Sequence, residues 1–158
     1  VRHWSGTTDK LRGWLLVIIL LSVLAAGAEL LLVSHHEDIW QSIPLALLGL
    51  SLGFFSLGIA ASPSRGMLRA WQALMAAYVL SGFLGLGLHW KGKLEFKREA
   101  NPSAGDLQLL WEAMQTQSPP TLAPGMMIQI GLLGLLYAYR HPVLMRAGQN
   151  SQHQGEDR

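Results

Sequence analysis

Four long apolar runs dominate the chain, at residues 14–33, 43–61, 70–89 and 121–139. Each comes close to the 20 or so apolar residues that a helix needs to cross about 30 Å of hydrocarbon. Short links join the first run to the second and the second to the third, so these neighbours are expected to pack antiparallel. The pattern predicts an all-α integral membrane protein. Its four transmembrane helices form an antiparallel bundle within a single membrane domain spanning residues 1–158.

The polar segment 90–120 has a different rhythm. Leu107, Leu110, Trp111 and Met114 recur at helical spacing, with Gln108, Glu112 and Gln115 on the opposite face. This predicts a short amphipathic helix between the third and fourth spans, lying on the outer leaflet or roofing the bundle. Asp106 or Ser103 is available as its N-cap, and Asn101-Pro102 and Pro119-Pro120 break the chain on either side. Residues 148–158 are polar and are expected to form a flexible cytoplasmic tail.

Charge placement gives an orientation. Arg2, Lys10 and Arg12 precede the first run, Arg65 and Arg69 separate the second from the third, and Arg140 and Arg146 follow the fourth. Residues 34–42 between the first two runs contain no Lys or Arg. The positive-inside rule therefore puts both termini in the cytoplasm, with a bacterial inner membrane as the expected setting. Lys91, Lys93, Lys97 and Arg98 in the long segment oppose this, but Glu95, Glu99, Asp106 and Glu112 balance them.

Aromatic placement agrees, since amphipathic rings favour the headgroup level. Trp4, Trp14, Trp71, Tyr137 and Tyr139 fall on the predicted inner side, and Trp40, Trp90 and Trp111 on the outer side. Small residues supply packing faces. Gly49 and Gly53 are four apart in the second run, and Ala77, Ser81, Gly85 and His89 form one row in the third, with Gly82 and Gly87 nearby. Such rows let backbones approach closely in lipid. They serve either packing within this bundle or docking of another membrane protein or a flat cofactor.

Composition sharpens the class. Charged residues make up 14% of the chain and apolar residues 50%, against roughly 25% charged in soluble domains. Mean hydropathy is only +0.27, so some polar mass must lie outside the bilayer. Cysteine is absent, which excludes thiol redox chemistry, disulfides, iron–sulfur clusters and Cys-ligated zinc. No cleavable signal is expected, because the first apolar run is about a full span long and no A-x-A-like site closes it. No Walker loop, dinucleotide fingerprint, H-E-x-x-H or G-x-S-x-G occurs, so the chain is not expected to be an enzyme. The slight basic excess serves topology, and no nucleic-acid partner is expected.

The candidate chemistry gathers around the end of the first run. Glu29 is the one acid inside a predicted span, roughly 6 Å short of its outer end by helix rise. Such residues usually face the bundle interior or a water-filled path. His35, His36, Glu37 and Asp38 follow, and His89 ends the third run on the same predicted side. Imidazoles from two helices at one level are what a haem or a transition-metal site requires. Adjacent histidines on a helix diverge by about 100°, so His36 with His89 is the favoured pair, with His35 in reserve and Glu29 as a further ligand. Plain solvation at the membrane edge is the competing reading.

Three functions are therefore carried forward. The leading one is a non-catalytic accessory or structural subunit of a larger membrane complex, such as a photosynthetic or respiratory one, with the lipid bilayer and other integral membrane subunits as partners and no required cofactor. The second is a metal- or haem-binding membrane protein with its site at the outer face. The third is a small oligomeric transporter or channel that uses Glu29.

Overall fold

The computed structural model describes residues 6–32, 39–60, 62–115 and 122–145. Among them every regular element is helical: α1 (Thr7–Leu32), α2 (Ile39–Ser56), α3 (Arg65–Ala100), α4 (Asp106–Met114) and α5 (Leu122–Ala138). Two of these, α1 and α3, are long and apolar enough to cross a membrane, while 42–56 of α2 and the whole of α5 form shorter apolar helices. The residues before Gly6, the histidines His35 and His36, and the tail 148–158 lie outside the described residues.

Hydropathy located the helices well but not all of their ends. A hydropathy run measures the length of chain that tolerates hydrocarbon, whereas a helix continues until its backbone is interrupted. Thus α1 begins at Thr7, ahead of Trp14, because Asp9, Lys10 and Arg12 are polar without being helix breakers. Ser64 caps α3 by accepting a hydrogen bond from the Met67 N–H at 3.1 Å. From there α3 runs 36 residues, about 54 Å, well past His89, and stops only at Asn101-Pro102. Residues 90–100, expected to be loop, are therefore helix. In the other direction, α2 stops at Ser56 and not at Ala61. Gly58 takes φ 85°, and the Ile59 and Gly58 N–H groups bond back to the Phe54 and Phe55 carbonyls, both at 3.1 Å. This pattern is a Schellman C-cap, which glycine adopts without steric cost.

The buried positions share one rhythm. Leu16, Ile19, Val23, Ala26 and Leu30 on α1, Leu68, Trp71, Met75, Tyr78 and Gly82 on α3, and Pro124, Met127, Gly131, Gly134 and Ala138 on α5 all advance in alternating steps of three and four. A mean step of 3.5 keeps one stripe facing a neighbour and favours nearly aligned crossings of about 20°. The helices form a ring in which α1 packs on α2 and α5, and α3 packs on α2 and α5. Neighbours run in opposite directions, as the short links predicted.

The closest pairing, α3 with α5, rests on glycines. A Cβ on Gly131 would lie 2.7 Å from the Met75 carbonyl oxygen, and one on Gly82 would lie 2.7 Å from that of Pro124. Gly134 leaves room for the Met75 side chain in the same way. The predicted rows fare differently. Around Gly49, Gly53 and Gly87 nothing else lies within 4 Å of an added Cβ, and Gly85 meets only the Pro124 ring at ordinary contact distance.

Two aromatic anchors also change place. Trp71 and Tyr137, expected at the headgroup level, are buried. The Trp71 Nε1–H donates to the Gly134 carbonyl at 3.0 Å, and the Tyr137 hydroxyl donates to the Ile59 carbonyl at 3.0 Å. Phe54, Phe55 and Tyr137 meet the Trp71 ring edge-on, with centroids 5.6, 5.8 and 6.3 Å away. The Tyr78 hydroxyl and Ser51 Oγ share a further buried hydrogen bond of 2.8 Å. Trp14, Trp111 and Tyr139 do stay exposed, as interfacial anchors should.

At the same end of the bundle, α5 closes with Arg140 at φ 47°. Arg12 of α1 reaches across to donate to the Tyr139 and Arg140 carbonyls at 3.4 and 3.2 Å. A guanidinium there meets orphan carbonyls and the negative end of the helix dipole. His141 is buried against the Tyr137 ring, and its Nδ1 accepts from the Val143 N–H at 3.4 Å.

Beyond the ring, α4 folds onto α3. It occupies the predicted residues, but its N-cap is Gly105, not Asp106 or Ser103. It does not roof the bundle with the predicted apolar stripe. Leu109 and Ala113 are buried, whereas Leu107, Leu110, Trp111 and Met114 are exposed. Arg98 of α3 pairs with Asp106 at 2.8 Å and fixes the start of the returning helix.

Candidate binding cleft

At the end of the ring away from Trp71 the four helices separate. Residues of α1, α2, α3 and α5 line a cleft of about 300 Å³ there. Small side chains make the space: Ala26 on α1, Pro44 on α2, Ser81 and Gly85 on α3, and Ala123 and Pro124 on α5 all fall at this level. Leu30, Ile43, Leu84, Leu88, Met126 and Met127 complete apolar walls. Pro124 suits the first turn of α5, where a missing N–H costs least, whereas Pro44 lies inside α2, and the compact rings of both reach less far than Leu or Met would.

Glu29 and His89 are the two ionisable groups among the lining residues. Both are exposed at the rim. The α1 seam takes Ala26 and Leu30, and Glu29 lies about 100° around the helix from Leu30. It therefore flanks the seam and faces the cleft instead of the bundle interior, the other placement that sequence had allowed. The structure thus brings Glu29 and His89 to one cleft from two helices. His36 and His35, the other two proposed ligands, lie outside the described residues. Among the described residues no group of three His, Asp or Glu could hold a metal ion.

Sequence reasoning missed the cleft itself. The signal was present as a coincidence of small residues at one level in all four apolar runs, but level in space depends on knowing which runs are antiparallel neighbours. Met126 and Met127 both border the opening.

The fold and cleft define an all-helical chain with two helices capable of crossing a membrane by length and composition. No protein-family model matches the chain, and no curated protein or solved structure matches it either.

Proposed function

We propose that this chain is a four-span integral membrane protein that acts as a non-catalytic accessory subunit of a larger assembly in a bacterial cytoplasmic membrane. Four crossings are supported by helix length and outward chemistry. The 17 residues of α5 and 18 of α2 rise about 26 and 27 Å, near the thickness of the hydrocarbon core. Leu21 and Leu24 of α1, Leu50 and Leu52 of α2, Leu80 and Phe83 of α3, and Leu132 and Leu136 of α5 all face outward. Contiguous apolar surface on every long helix suits lipid and not water.

The charge distribution supports cytoplasmic termini. Arg12 and Arg140 meet at the Trp71 end, where α3 also starts with Arg65 and Arg69. At the opposite end Lys91 pairs with Glu95 at 3.8 Å and Arg98 with Asp106 at 2.8 Å, so the basic residues there are offset.

The observation that carries the accessory role is the open row on α2. The glycines that matter inside the bundle, Gly82, Gly131 and Gly134, are filled by α3–α5 contacts, whereas Gly49 and Gly53 are exposed. Among the described residues nothing else lies within 4 Å of a Cβ added at Gly49 or Gly53, and a small-residue row facing outward lets the backbone of another membrane subunit approach. The test is extraction from the native membrane in mild detergent, with identification of co-purifying proteins and a visible spectrum. A defined membrane partner is expected, and Gly49→Leu should release it without altering helicity. An isolated chain with no partner would refute the reading, and a haem spectrum would favour the cofactor alternative.

A further inference from the structure

Beyond any subunit role, we propose that the cleft between α1, α2, α3 and α5 binds a small lipophilic cation, an ammonium group on a compact apolar body. Three observations converge on this chemistry. The walls are apolar, the volume of about 300 Å³ lies at the low end of small-molecule sites, and the rim carries the one acid of the α1 apolar run. An acid in such a run is costly and needs a compensating interaction. Lys and Arg are absent from the cleft lining, so a ligand's positive charge can supply the complement.

Other occupants fit less well. A metal ion requires several donors, and among the described residues no group of three is assembled. A two-chain phospholipid is far larger than a cleft of about 300 Å³. Its phosphate would also approach the Glu29 carboxylate. A neutral apolar molecule would use the walls but leave Glu29 without a role. A monocation with one ring or a short alkyl body uses both: the body displaces water or lipid from between Leu84, Leu88, Ile43 and Met127, and the charge rests against Glu29.

The full chain in detergent micelles would be titrated calorimetrically with benzyltrimethylammonium and with its uncharged isostere neopentylbenzene. Saturable cation binding is expected, with the isostere at least tenfold weaker. Glu29→Gln should weaken the cation tenfold or more while leaving the isostere and the helical circular dichroism unchanged, because Glu29 is exposed. His89→Ala should change cation affinity by less than threefold. The proposal is overturned if the cation does not saturate, if Glu29→Gln binds it within twofold of the parent, or if the isostere binds equally well. It is also overturned if native mass spectrometry finds a retained phospholipid that the cation does not displace. None of these results depends on a partner subunit or on the number of crossings.

Discussion

Glycine decides how closely α3 and α5 approach. Gly131 faces backbone atoms of Met75 and Val79, so an added methyl has no flexible side chain to push aside. Gly131→Ala should therefore destabilise the fold by about 1–3 kcal/mol, the usual range for overpacking. Gly49→Ala adds its methyl to open space and should stay within about 0.5 kcal/mol, as surface changes do. Thermal unfolding followed by circular dichroism in micelles would compare the two. Equal effects would mean that the α3–α5 contact is not the tight one. Sequence named the Gly49–Gly53 row and Gly82 but not Gly131 or Gly134, because small-residue spacing marks a face that can pack without naming the face that does. Trp71 misled for a related reason. Its ring suits an interface, but one indole N–H satisfied by the Gly134 carbonyl lets it be buried.

At the scale of elements, the presence and type of every predicted helix could be read from the sequence, and so could the breakers at Asn101-Pro102. The extension of α3 was not legible from hydropathy, because residues 91–100 are charged and a solvated helix looks like a loop on that scale. The apolar stripe of α4 and its contact with α3 are different faces. Leu107, Leu110, Trp111 and Met114 form the wider stripe and stay exposed, whereas docking on a single neighbouring helix needs only a narrow contact. Leu109 and Ala113 supply it, and alanine permits close approach. Leu109→Ala should then cost about 2–5 kcal/mol of local stability, seen as faster hydrogen exchange across residues 106–114. Leu110→Ala should leave that exchange nearly unchanged. The reverse order would contradict this docking face. Arg98 and Asp106 are both exposed, so their ion pair guides the turn into α4 more than it stabilises it.

At the scale of the whole molecule, link lengths gave the antiparallel packing of α1 with α2 and of α2 with α3, but not the pairing of α5 with α1 and α3. The cleft was not legible, because it forms where small residues on four separate runs meet, and pairing in space precedes any such reading. Its rim joins Glu29 to His89, two residues that sequence had grouped as candidate ligands on one predicted side of the membrane. The account depends most on four crossings, with the α3–α4 hairpin outside the cell and the α2–α3 link inside. The chain has no cysteine, so single cysteines report position without background. Ser103→Cys, between α3 and α4, and Ser62→Cys, between α2 and α3, both replace exposed residues. Labelling in intact spheroplasts with a membrane-impermeant maleimide should modify Cys at 103 readily and Cys at 62 only after the membrane is opened. Equal labelling of both before opening would contradict the four-span account.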